Sequence, residues 1–214
     1  MPKTKTSADR KRFARKCKQQ RRVAPVILPC AVKDLLKGRP DQKLLTDHLK
    51  AIEVHRRKYL LRIKKETDAA AIPAHKAKVT EAKGEHEATL FMIENYPDAV
   101  ILWTFTAGTG IDQLWFDPPD EYVIVEAKGP GATLSTGAAK GDQMSKQWVR
   151  NSLEEVVNSP NTAPADRNHA QRMLDAMDVG PPPKVHGCVI EARKDGGSEE
   201  KLNVPDSGIY HKTT

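Results

Sequence analysis

The chain is poor in cysteine and aromatic residues and has no long apolar run. Its three cysteines, Cys17, Cys30 and Cys188, are scattered over 214 residues. An odd, sparse set supports neither a disulfide framework nor a structural zinc site, and it suits a reducing interior. Aromatics make up 5% of the residues and mean hydropathy is −0.60, the profile of a soluble protein. No stretch approaches the roughly 18 apolar residues of a membrane span. The N-terminus lacks the apolar core of an ordinary secretory signal. The length allows one domain of ordinary size plus an extension.

The first part of the chain is also short of negative charge. Residues 1–84 hold 24 Lys and Arg against 8 Asp and Glu, which leaves 11 against 20 for residues 85–214. Two regions of different character follow. The basic part suits a polyanion, nucleic acid first, with a solvated helical surface as the plain alternative. Residues 1–25 are too polar to bury a face and read as disordered or as a short basic helix.

Several catalytic signatures are absent. "HEATL" at 86–90 would need its second histidine at Leu90, so it is not a zinc-protease helix. "LPCAV" has no second cysteine and no deaminase zinc pattern. "GPGATLSTGAAKG" lacks the Gly-Lys-Ser/Thr of a P-loop, and "GTGID" leads into a strand where a dinucleotide fold needs a helix. Ser135 has no GxSxG context.

Periodicity supplies the elements. After Pro25, Pro29 and Pro40, residues 41–66 predict a helix, with Leu45, Leu49 and Ile52 at helical spacing. Pro73 separates it from a second helix over about 76–95. The period then becomes extended: strands over 99–106, 111–116 and 121–128, with turns at Gly108–Gly110 and Asp117–Asp120. A Gly-rich loop (129–142) leads into helices over 143–158 and about 164–178, and the prolines at 181–183 precede a strand over 184–194. The order is mixed α/β. The expected division is a basic, mainly helical extension over 1–75 and a domain over 76–214.

One strand carries odd chemistry. "EYVIVEAKGPG" begins as a buried β-branched run and ends by aiming Glu126 and Lys128 from one face. Buried charges need a partner or a metal. Asp112 follows the Gly108–Gly110 turn, 14 residues before Glu126, and an antiparallel pair with a short turn brings the two carboxylates together. A shared hard cation such as Mg²⁺ explains two neighbouring carboxylates, and a lysine beside it suits phosphodiester hydrolysis better than glycosyl transfer. The plain reading is a strand-end charge at Asp112 and a surface ion pair for Glu126 and Lys128. Trp103, Trp115 and Trp148 read as core, and His86 as an ordinary helix residue.

"GTGIDQLWF…EYVIVEAKG" resembles the core of the PD-(D/E)XK nuclease superfamily, with Asp112, Glu126 and Lys128 on its Asp…Glu-x-Lys pattern and Ala127 as x. "GEHEAT" at 84–89 resembles that family's glutamate-bearing helix, with Glu85 as the carboxylate and Glu87 as its rival. "VEAKGPGATLSTG…GDQMSKQW" is similar to the C-terminal nuclease domains of bacterial polymorphic toxins; Gln143, at a helix start of this chain, is expected to face the site or a phosphate. The resemblance covers about residues 80–158. It implies a restriction-endonuclease-like core, a central mixed sheet flanked by helices. It implies Mg²⁺ or Mn²⁺ on Asp112, Glu126 and the Ala127 carbonyl. It further implies a toxic effector, DNA as substrate, delivery by a specialised secretion system and possible docking on a delivery protein. A cognate immunity protein would neutralise it in the producer's cytoplasm. Its inhibitor footprint is expected over 129–150, on a rim made positive by Lys128, Lys140, Lys146 and Arg150. An RNase, tRNA included, on the same fold and a non-catalytic nucleic-acid-binding protein are the alternatives.

Overall fold

The computed structural model describes residues 26–104, 110–136, 139–178 and 185–201. The basic segment 1–25, most of the expected turn at Gly108–Gly110 and the prolines at 181–183 lie outside the described residues. Three helices come first: α1 (Cys30–Leu36), α2 (Gln42–Lys65) and α3 (Ile72–Asn95). Strands β1 (Val100–Thr104), β2 (Gln113–Asp117) and β3 (Glu121–Lys128) follow. Helices α4 (Lys146–Asn158) and α5 (Pro164–Asp178) lead to β4 (Val185–Ala192) and β5 (Ser198–Lys201).

The sheet has spatial order β1-β2-β3-β4-β5. β1, β2 and β3 form an antiparallel meander, β3 and β4 run parallel, and β5 returns antiparallel to β4. A parallel pair needs a long crossover, which α4 and α5 supply. The protein is therefore α/β, with a five-stranded mixed sheet flanked by helices.

Alternation along β3 divides the core. Val123, Val125 and Ala127 join the cluster built on α1, α2 and α3. Ile124 faces the opposite cluster, with Trp148, Val149, Leu153 and Met173 of α4 and α5. Glu126 and Lys128 share the parity of Ile124. In β1 the alternation breaks. Ile101 pairs with Trp115 but Trp103 pairs with Leu114, so a bulge at Leu102 sends Ile101 and Trp103 to opposite cores.

Three sequence expectations change. α3 begins at Ile72, with Pro73 inside its first turn, where the missing N–H has no helical partner to lose. α4 begins at Lys146, capped by the Ser145 side chain, which accepts from Trp148 N. α1 and β5 are additional elements that the sequence pattern did not expose.

The described part of the expected extension packs into the domain. Leu36, Leu45, Leu49 and Ile52 sit in the same cluster as Val123 and Ile190. Asp41 accepts from the backbone N–H of Ile101 at 2.8 Å, and Arg39 donates to Asp41 at 3.0 Å and to the Pro97 carbonyl at 2.8 Å. A boundary at 75/76 does not coincide with a break in the packing.

Candidate active site

The site forms where β2 begins and β3 ends. Gln113 pairs with Val125, and continuing that register sets Asp112 opposite Glu126 on one face. Asp112 precedes the first residue of β2. Its Oδ2 accepts from the Ala127 N–H at 2.8 Å, which extends the pairing by one side-chain bond. Asp112 and Glu126 are close enough that each carboxyl affects the ionisation of the other.

Glu126 is 3% exposed. Its Oε1 lies 2.8 Å from Lys128 Nζ and accepts from Gln143 Nε2 at 2.6 Å. Gln143 Oε1 accepts from Lys128 Nζ at 2.9 Å and from the Ser135 N–H at 3.1 Å. Its own backbone N–H donates to the Ser135 carbonyl at 2.9 Å. Gln143 therefore joins Glu126, Lys128 and the Gly-rich loop in one network. It lies just ahead of α4, not on it. The residue that follows, Met144, is buried with φ +68, a left-handed conformation that a non-glycine residue holds only under packing constraint. Glu191, in register with Lys128, accepts from the Gly131 N–H at 2.7 Å and fastens the start of the loop.

Glu85 arrives from the other layer through a close helix–strand crossing. A Cβ on Gly84 would lie 2.6 Å from Gly129 N and Lys128 C, and one on Gly129 would lie 2.4 Å from Thr80. Only two glycines allow the backbones of α3 and β3 to meet here. A buried bridge fixes the register: Gln113 Nε2 donates to the Glu85 carbonyl at 3.2 Å and to Thr89 Oγ1 at 2.9 Å. Gln113 Oε1 accepts from Trp115 Nε1 at 3.0 Å. Gln113 and Thr89 went unnoticed in the sequence. The available signal was a glutamine two residues before Trp115, on the inward face of an otherwise apolar strand.

The electrostatics of the carboxyls follow from this crowding. Burial, reinforced by Asp112, pushes Glu126 up to about 8 against the pull of Lys128. Burial raises Asp112 to about 6, although the Ala127 N–H and Lys128 act the other way. Burial, then Asp112 and Glu81, raise Glu85 to about 7, with Lys78 opposing. Glu85 is thus the α3 carboxyl that senses the site. Glu87 is turned to His86, 3.4 Å away, which holds its carboxyl below the usual range.

Glu126 Oε2 is buried and without a hydrogen-bond partner. The donor set of Asp112 and Glu126 is all oxygen, the set that hard cations take. An orphaned, buried carboxylate oxygen beside a second crowded carboxyl fits such an ion. Among the described residues no group of three or more His, Cys, Asp or Glu is arranged to hold a metal, so backbone, water or substrate would complete the coordination.

The expected positive rim is weaker than its sequence suggests. Lys140 is paired with Glu155, and Arg150 with Asp178 at 2.5 Å. Lys128 is held by Glu126 at 2.8 Å, and of the four residues Lys146 is the exposed one. The three tryptophans are buried, with Trp148 against Gly110. No protein-family model, curated protein or solved structure matches this chain.

Proposed function

We propose that the protein is a metal-dependent nuclease of PD-(D/E)XK type that hydrolyses phosphodiester bonds, with DNA as its substrate. The observation that carries this reading is the convergence of Asp112, Glu126 and Lys128 on one face, with Glu85 beside them and every one of the three carboxyls raised. Perturbed, mutually coupled carboxyls in one cluster are the mark of a functional site more than of a stabilising one. A surface ion pair would not leave a buried oxygen without a partner.

Asp112 and Glu126 would hold Mg²⁺ or Mn²⁺, with the Ala127 carbonyl as a further ligand. Bound there, the ion would supply a Lewis acid at the phosphate and lower the pKa of a water. The chain's own groups do the rest. Lys128 places an ammonium where negative charge grows on the phosphate. Gln143 holds that ammonium, accepting from it at 2.9 Å, and so fixes its direction. Glu85, held near neutrality, can take or return a proton at its carboxyl oxygen through a water.

The role we infer with this activity is that of an antibacterial effector, delivered by a specialised secretion system and restrained in its producer by a cognate immunity protein. It rests on the likeness of "VEAKGPGATLSTG…GDQMSKQW" to polymorphic-toxin nuclease domains. The test is incubation with supercoiled plasmid and with total RNA, each with Mg²⁺ and with EDTA. Plasmid loss in Mg²⁺ alone supports the reading. Selective loss of RNA would move the substrate to RNA, and binding without cleavage in either condition would exclude an enzyme.

A further inference from the structure

A second charged feature lies on the α2–α3 hairpin, away from the carboxyls. His55, Tyr59 and Arg62 follow the spacing i, i+4, i+7 and share one face of α2. The Tyr59 ring stands 4.8 Å from that of His55 and 5.7 Å from that of His75 on α3. Arg62 Cζ lies over the same ring at 4.9 Å from its centroid, and Lys58 Nζ at 5.7 Å. Both cations are exposed, and an aromatic face is what orders them. Two neighbouring arginines differ: Arg56 and Arg57 are both bound to Glu53, at 2.6 Å. The rings are half-buried between the two helices, and they gather two exposed cations without neutralising them.

The hub and the candidate site lie along the same helix, α3. Lys78, bound to Glu81 at 2.5 Å, lies within electrostatic reach of both Tyr59 and Glu85. Glu81 in turn is felt by His55 at one end and by Asp112 at the other. One turn after another of α3, through His75, Lys78, Glu81 and Glu85, leads from the hub to the carboxyls.

We propose that the Tyr59 hub is a phosphate-backbone clamp. In it, Lys58 and Arg62, steered by the ring, hold the nucleic-acid strand flanking the bond presented to the carboxyls. This assignment rests on the nuclease reading of the site. Tyr59 is occupied by its own neighbours, so the clamp reads backbone charge and not base identity. Its cations lie on the packed, described part of the chain and do not require residues 1–25.

The test is binding of a fluorescein-labelled DNA duplex in EDTA, titrated over salt, together with cleavage in Mg²⁺. The variant is Lys58→Gln/Arg62→Gln, two exposed positions whose change leaves the packing intact. The control, Lys37→Gln/Lys43→Gln, removes the same charge near the opposite end of α2. Each phosphate contact contributes about −0.9 to the slope of log K against log salt, so the clamp variant should lose about 2 from the slope's magnitude. The control should lose less than half of that. Cleavage by the clamp variant should show a raised KM with kcat within about 2-fold of wild type, the sign of lost uniform binding. Equal slopes for the two variants, or a clamp variant indistinguishable from wild type, would overturn the clamp while wild-type cleavage upheld the nuclease. A slope lost in the clamp variant without cleavage by the wild type would support the clamp and remove the catalytic reading.

Discussion

Glu126→Gln should make the metal-free protein more stable at alkaline pH while removing its activity. Glu126 Oε1 accepts from Gln143 and Lys128, and an amide oxygen in its place accepts both. The second oxygen is buried without a partner beside Asp112. An amide nitrogen there donates to the Asp112 carboxylate and replaces repulsion with a hydrogen bond. The sign follows from the raised carboxyl. Glu126 titrates near 8 in the folded chain, above its ordinary value, so the fold binds the extra proton. Stability is then fully present below the ordinary carboxyl pKa and is lost as pH rises toward 8. The variant lacks that loss, so its advantage grows from pH 5 to pH 8. Each pH unit corresponds to about 1.4 kcal/mol. The proton is shared with Asp112, so we expect a gain of about 1–3 kcal/mol at pH 8, not the full span. For a chain of this size that is a rise in Tm of about 2–10 °C. Thermal melts in EDTA at pH 5 and pH 8 read it out. A variant less stable than wild type at pH 8, or an advantage that does not change with pH, would refute the reasoning.

The other predictions concern the same crossing of α3 and β3. Lys128→Ala should reduce kcat by at least about 100-fold while nucleic-acid affinity stays within about 3-fold, because a transition-state contact acts on turnover; unchanged turnover would exclude the role. Gln113→Leu leaves the Trp115 N–H buried without an acceptor and cuts the tie to Glu85, so a loss of about 2–4 kcal/mol is expected in urea titrations. Gly84→Ala gains about 1 kcal/mol of helix propensity but drives a methyl into Gly129 N, so a net destabilisation of at least about 1 kcal/mol should appear with a loss of activity. Saturating Mg²⁺ should raise wild-type Tm at pH 8, by about 2.7 kcal/mol of stabilisation at 100-fold Kd, and leave the Glu126→Gln melt nearly unmoved.

Much of this arrangement was legible in the sequence, for physical reasons. α2 shows Leu45, Leu49 and Ile52 at helical spacing because one face meets the core. β3 is plain because a β-branched run bounded by turns has few alternatives, and Glu126 and Lys128 share its face by parity alone. The meeting of Asp112 with Glu126 followed from a hairpin, a local object. What stayed hidden was non-local or short. The choice of Glu85 over Glu87 depends on where α3 crosses β3, and the crossing is set by Gly84 against Gly129, 45 residues apart in number. α1 has seven residues and β5 four, too few for periodicity to register. Gln143 looked like the start of a helix because the capping residue, Ser145, comes only two positions later. The charges of Lys140 and Arg150 looked free because their partners, Glu155 and Asp178, lie 15 and 28 residues on.

The central claim is that Asp112, Glu126 and Lys128 form a metal-dependent hydrolytic site and not a structural cluster. Wild type and Glu126→Gln, incubated side by side with supercoiled plasmid in Mg²⁺ and in EDTA, test it most directly. The account predicts cleavage by wild type in Mg²⁺ alone, with none by the variant in either condition although the variant melts higher at pH 8. Cleavage that persists in EDTA, or a variant that cuts as fast as wild type, would contradict it.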